Sequence, residues 1–273
     1  MRIRIAHHTR YEYDVPARAM LQVLRVTPCD HDGQHVAHWR LDADADVRVR
    51  TAEDAFGNRT HILSTEQPLE HLTLSVTGEV VTGDTNGLVR GATEPLPAAV
   101  LLRDTALTRP DAALRTFAAD VVQGAEPLDR LHALMSAVNR TLAFETGRTD
   151  SGTTAAEALR LGRGVCQDLA HVFISAARLS GFPARYVSGH LVRADTVEQE
   201  AGHAWAEALV PDLGWVGFDA ANGVCPTEAY VRVAVGLDYL DAAPVRGSRN
   251  GGGAERLSVR LSVAQVQQSQ QQQ

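Results

Sequence analysis

Lysine is missing from this chain of 273 residues: its 26 basic residues are all arginine, against 33 acidic ones, for a formal net charge of −7. An acidic balance with no run of arginines argues against a nucleic-acid surface. Without a lysine amine, the chain also cannot cross-link to itself through lysine. Cysteine is scarce too. Cys29, Cys166 and Cys225 lie far apart and form no CxxC pair, which argues against a disulfide framework and a thiolate zinc site. Long apolar runs are lacking: no window approaches about eighteen uncharged apolar residues, so no membrane partner is expected. The opening MRIRIAHHTRYEY alternates Arg with Ile and does not read as a signal peptide, so the expectation is a cytoplasmic protein.

What is present falls into two parts and implies an α+β protein. Residues 1–90 read as an antiparallel β-sandwich-like unit. Alternation in Arg2-Ile3-Arg4-Ile5, at Val47 and Val49, and at Leu72, Leu74 and Val76 has the period of two of half-buried strands. Turn signals at His31-Asp32-Gly33, Phe56-Gly57-Asn58 and 83–87 separate them. Residues 91–110, with Pro95, Pro97 and Pro110, read as a linker.

From residue 111 to 263 the pattern predicts helices, then strands. Leu128, Leu131, Met135, Val138 and Leu142 make one apolar face behind Pro127. Thr154 and Glu157 are spaced as a capping box. A helix is expected from Cys166 to about Ser180, stopped by Gly181-Phe182-Pro183. Strands are expected over 185–192, 204–210 and 214–219, the last two joined by a turn at Pro211–Gly214, with a final strand over 257–263. The glutamine-rich stretch 264–273 reads as disordered.

Chemistry concentrates in GRGVCQD, GHAW and WVGFD. They supply a thiol, an imidazole and a carboxylate in the order Cys166, His203, Asp219, the groups that nucleophilic acyl transfer requires. At a helix start, the dipole and free N–H groups favour a thiolate and can hold the oxygen of a tetrahedral intermediate. Gly162 and Gly164 are expected to let a substrate approach closely. The hairpin is expected to set Asp219 opposite His203, with Trp205 on the same face as a wall for the imidazole. Cys29 and Cys225 lack such a setting and are expected to pack.

Other histidines compete for the base. His171 lies five residues after Cys166, about 140° away on a helix, and cannot easily reach the thiol. His190 ends a neighbouring strand and is a candidate cleft residue. His132 reads as solvated, and His7, His8, His31, His35, His38, His61 and His71 as surface or strand residues. No cluster completes a metal site around His35 and His38, and no acidic calcium loop stands out, so no metal and no cofactor are expected.

The segments GRGVCQDLAHVFISAARLSGFPARYVSGHL and AGHAWAEALVPDLGWVGFDAANG, with HHTRYEYD, LRVTP and DAFGN in the first half, resemble the transglutaminase-like superfamily. The likeness is to the bacterial transglutaminase-like cysteine proteases that carry a β-rich domain ahead of the core. The resemblance covers nearly the whole chain. It implies a papain-like core with the catalytic helix packed on an antiparallel sheet, Cys166 as nucleophile, His203 as base and acid, and Asp219 as the orienting carboxylate. Gln167 stands where Arg is common, His190 where Tyr is common, and Ala220-Ala221 where Pro-Thr is usual; Gln167 and His190 therefore bear on the pocket, and Gln167 is a candidate oxyanion donor.

Papain-type proteases space Cys and His by well over a hundred residues, whereas here 203−166 is 37. Arylamine acetyltransferases share the three residue types but do not suit a β-rich unit of this size ahead of the thiol. The expected function is hydrolysis of amide or peptide bonds in a peptide or protein substrate. Protein-glutamine transamidation by the same triad and a non-catalytic binding or assembly module are the alternatives.

Overall fold

A computed structural model describes residues 1–124 and 126–266. The first unit is built from β1 (Arg2–Leu24), β2 (Gln34–Ala43), β3 (Arg48–Glu53), β4 (Arg59–Thr65) and β5 (Leu69–Thr82). Beyond β6 (Leu88–Val89) come α1 (Ala112–Val121), α2 (Pro127–Thr141), β7 (Ala143–Phe144), α3 (Ala155–Leu161), β8 (Arg163–Gly164) and α4 (Cys166–Leu179). The chain continues through β9 (Ala184–Leu191), β10 (Glu198–Gln199), β11 (His203–Val210), β12 (Gly214–Phe218) and β13 (Tyr230–Gly236). It closes with α5 (Tyr239–Ala242), β14 (Val245–Gly251) and β15 (Glu255–Gln265). Among the described residues no helix is long and apolar enough to cross a membrane.

β1 organises the larger, antiparallel sheet. Its first half pairs with β5 and β15, its second half with β4 and β14. Between the halves lies Pro16, which has no N–H to give a ladder, and the register shifts around it. The shift changes the phase of burial: Ile3, Ile5, Tyr11 and Tyr13 are inward before it, Met20 and Leu24 after it. One strand thus serves both halves of a curled sheet, closed around Tyr11, Met20, Leu24, Leu63 and Leu72.

The final strand corrects the expected boundary. β14 and β15 pair with β1 rather than with the core sheet, so residues 245–265 return to the first unit. Ala264 and Gln265, expected in the disordered tail, end β15; residues 267–273 lie outside the described residues. The expected linker is packed as well. Leu101 and Leu107 are buried, and the Arg178 side chain donates to Leu101 O and Thr108 Oγ1.

The second unit lays α4 on a five-stranded antiparallel sheet of order β13-β9-β11-β12-β6. Ala204, Ala206 and Ala208 of β11 are all buried, and side chains this small let the helix lie close to the strand. Ile3, Ile5, Val80, Leu261 and Val263 of the first unit pack on Val231 and Val233 of β13. β13 is an edge strand, and two side-chain amides of the first unit pair with its backbone. Gln34 bonds both N and O of Arg232, and Asn58 both N and O of Val235, each at 2.7–2.8 Å. These amides satisfy buried backbone groups that water cannot reach and fix how the two units meet.

Candidate active site

Cys166 is the first residue of α4, and the approach to it is fixed by hydrogen bonds. Thr154 and Glu157 form the expected capping box on α3, and Gly162 ends that helix with φ of 64°, a conformation glycine adopts without strain. Asp168 caps α4: its Oδ2 accepts from Val165 N and from Thr149 Oγ1, both at 2.7 Å. A Cβ on Gly164 would lie 2.5 Å from that same oxygen. Gly164 is therefore required by the cap, and Gly162 by the helix end. Both glycines thus serve the local structure that leads into Cys166, whereas the substrate approach expected of them is a separate matter of the bound complex.

His203 opens β11, and Asp219 follows β12 directly. The ladder pairs Ala206 with Phe218, so continuing it sets Asp219 opposite Trp205, and His203 is its diagonal neighbour. The expected direct pairing is thus off by two residues, which keeps both side chains on one face. His203 Nε2 lies 2.6 Å from Asp219 Oδ2. That leaves Nδ1 as the ring nitrogen free for the thiol.

Asp219 is fully buried and well supplied with donors. Oδ2 also accepts from Asn222 Nδ2 at 2.7 Å and Tyr230 OH at 2.8 Å, while Oδ1 accepts from the backbone N–H groups of Ala221 and Asn222. Burial opposes its charge, but His203, Tyr230 and Asn222 outweigh burial and hold the carboxyl below its usual range. Burial likewise disfavours the His203 imidazolium, yet the hydrogen-bonded Asp219 carboxylate and the neighbouring Cys166 raise its pKa to about 10. The imidazole is therefore a cation through the neutral range. Trp205 walls it as expected, with ring centroids 6.2 Å apart and nearly parallel planes. The space for Trp205 comes from Gly189, where a Cβ would meet the indole at 2.6 Å.

Cys166 and His203 line two cavities at once. One is a pocket of about 240 Å³ that includes His7, Tyr186, His190 and Tyr239. The other is an open groove of about 820 Å³ bordered by Phe144, Leu191, Glu198 and Asn222. A further cavity of about 460 Å³, between Ala19, Arg48, Gln67 and Asn250, holds neither cysteine nor histidine.

Gln167 lines the smaller pocket, and its amide nitrogen lies 3.5 Å from Asp150 O. His190 lines it too, buried in the sheet. His171 is fully buried and accepts from Tyr239 N at 3.1 Å, away from the thiol. His132, expected in solvent, is half-buried because its ring meets the edge of Phe218 at 5.5 Å. His7, expected at the surface or in a strand, lies in β1 but lines the pocket. Among the described residues no group of three or more His, Cys, Asp or Glu side chains could hold a metal ion. Cys29 and Cys225 are half-buried and free, and burial pushes the Cys225 thiol up.

Sequence reasoning missed Asn222 and Tyr230. Asn222, three residues after Asp219 in a turn, carried a signal in its spacing, since Asp-x-x-Asn turns bond locally. Tyr230 carried none: a long connection brings it back beside Asp219.

Residues 115–220 match the core model of the transglutaminase-like superfamily, and residues 3–81 match the bacterial transglutaminase-like N-terminal region. The uncharacterized protein ML0607 of Mycobacterium leprae is 31% identical over 279 residues, covering 97% of this chain and 99% of that one. The chain belongs to the transglutaminase-like superfamily. The uncharacterized protein Rv2569c of Mycobacterium tuberculosis is 29% identical over 274 residues, covering 90% of this chain and 87% of its own length. A crystal structure of a candidate cysteine protease from Cytophaga hutchinsonii superposes with a TM-score of 0.79 at 21% identity, over 98% of this chain and 92% of that one. That likeness shows the shared fold, in which the superfamily core follows a β-rich N-terminal region.

Proposed function

We propose that this member of the superfamily is a cysteine-dependent hydrolase of amide or peptide bonds, with Cys166, His203 and Asp219 as its triad. The observation that carries the reading is the place of His203: it lies 2.6 Å from the buried Asp219 carboxylate and shares with Cys166 the lining of two cavities. Such a pair stores a nucleophile and an acid side by side.

The Cys166 thiolate attacks the carbonyl carbon, and the carbonyl electron pair moves onto oxygen. Free N–H groups of the first α4 turn are the donors at hand for that oxyanion. Collapse breaks the C–N bond, and the departing amine takes the proton of His203. Asp219 holds the ring throughout and keeps its orientation. Water then gives one proton to the neutral His203 and attacks the thioester. Release of the carboxylic acid restores the thiolate and the imidazolium.

The test is a peptide-library cleavage profile of the wild type against Cys166→Ala, with haloacetamide labelling of the three cysteines alongside. Cleavage abolished in Cys166→Ala, with Cys166 labelled well ahead of Cys29 and Cys225, supports the reading. Equal labelling and unchanged cleavage would end it. A glutamine peptide offered with a fluorescent primary amine separates hydrolysis from transamidation, because only the latter incorporates the dye.

A further inference from the structure

The smaller cavity is closed on its far side by the first unit. His7, Arg25 and Val26 of that unit face Cys166 and His203 across it. His7 belongs to the inward row of β1, between Ile5 and Thr9, so strand alternation directs it at the core. Its ring meets that of His190 edge to face, with centroids 6.0 Å apart. His190 is buried, and its Nδ1 has no hydrogen-bond partner. Nothing in the triad chemistry uses either ring, and an orphaned buried nitrogen is costly enough to need an explanation.

Two properties define what the pocket accepts. The first is size: a cavity of about 150 Å³ already holds a benzene ring, so about 240 Å³ takes one side chain of up to a single aromatic ring and excludes a fused ring system. The second is charge. No carboxylate lines the pocket, and Arg25, its arginine, donates to Asp54 at 2.8 Å. Burial and the neighbouring His8 lower the His7 pKa to about 4, and burial with His7 lowers that of His190 to about 3, so both rings are neutral at pH 7. Apart from the Cys166–His203 pair, the remaining polar groups, including Tyr186 and Tyr239, are uncharged donors and acceptors.

We propose that His7 and His190 are the specificity-determining residues of this site: they wall the acyl pocket and select an uncharged acyl side chain no larger than a single ring. The N-terminal unit is then part of the active site, contributing His7 to substrate choice. This rests on the reading of Cys166 as the acylated nucleophile.

The experiment acylates the full-length protein with activated thioesters carrying isobutyl, benzyl, naphthylmethyl, carboxyethyl or aminobutyl groups. Intact mass spectrometry reads the rate at Cys166, divided by each variant's own rate with iodoacetamide. The wild type should prefer the neutral groups of up to one ring over the naphthylmethyl and charged ones by about tenfold or more, the scale that pocket contacts give. His7→Ala and His190→Ala should each shift the naphthylmethyl-to-benzyl ratio upward by about tenfold. His7→Leu fills the space without a polar atom and should keep the size limit, which covers the case that His7→Ala fails to fold. Wild-type acylation with selectivity unchanged in every folded variant overturns the inference alone. No acylation of the wild type by any thioester, with iodoacetamide still labelling Cys166, overturns the acyl-enzyme reading and this inference with it.

Discussion

Replacing Asp219 by Asn tests the site at its support. The carboxylate accepts from five donors, three at Oδ2 and two at Oδ1. An amide of the same shape has one acceptor and one donor end. Whichever way it is turned, its NH2 must face donors, so at least one hydrogen-bonding set is broken in a fully buried place. Leaving a buried polar group unsatisfied costs about 1–3 kcal/mol of stability. The effect on chemistry is larger. Without that negative charge the His203 pKa should fall from about 10, with Cys166 left to oppose burial. The imidazolium fraction near neutral pH falls with it. Loss of the preferred tautomer adds to this; in serine proteases of the same His–carboxylate logic the equivalent change costs about 10⁴ in kcat. We expect kcat/KM to fall by about 10²–10⁴. The sign for stability follows from the raised pKa: the stabilisation by His203 is complete below pH 6.5 and is lost as pH rises through about 10. In Asp219→Asn that alkaline loss should shrink and move to lower pH. Histidine NMR titration of both proteins, with activity on a chromogenic amide, measures each part. A His203 midpoint unchanged in Asp219→Asn, or activity within threefold of wild type, would refute the reasoning.

Three further outcomes are expected. Tyr230→Phe removes one donor from Asp219 and should lower kcat by about tenfold with KM unchanged, as measured by steady-state kinetics. Glu207 is fully buried between Arg185 and Arg232, so Glu207→Gln leaves Arg232 without its carboxylate and Arg185 with Glu94 alone; denaturant unfolding should show a loss of about 3–5 kcal/mol. The Arg232 and Arg185 guanidiniums outweigh burial and hold Glu207 down at about 2, so its contribution is present above pH 4.5 and is lost as pH falls through about 2, which acid unfolding can follow. Gly164→Ala pushes a methyl against the Asp168 carboxylate at 2.5 Å and should cost about 1–3 kcal/mol while slowing alkylation of Cys166.

The parts of the fold that were readable in the sequence are those set by local periodicity. Helix α4 begins at Cys166 and ends one residue before the expected Ser180, because the apolar stripe and the Gly181-Phe182-Pro183 stop act on neighbours in the chain. The His203 and Asp219 strand ends were legible for the same reason. What escaped is non-local. β15 alternates like any half-buried strand, and nothing in that pattern states that its partner is β1, more than two hundred residues earlier. The register error of two residues at Asp219 has a similar origin: arm lengths count residues, whereas the turn, with φ of 65° at Asp212 and 95° at Gly214, decides which residues face each other.

His7 shows why the candidate site was only half legible. Its place in an Arg-Ile-Arg-Ile-Ala-His-His run marks a strand and, by alternation with Ile3 and Ile5, an inward face. The sequence does not say what lies inside that face. Only the packing of Ile3 and Ile5 on Val231 and Val233, locked by Gln34 and Asn58 on the edge of β13, brings the first strand to the thiol's pocket. Candidate catalytic groups were legible because reaction chemistry limits which residue types can serve. Substrate-selecting groups are under no such restriction, and any side chain of suitable size and charge will do. They become visible only when two distant segments are seen to share one cavity.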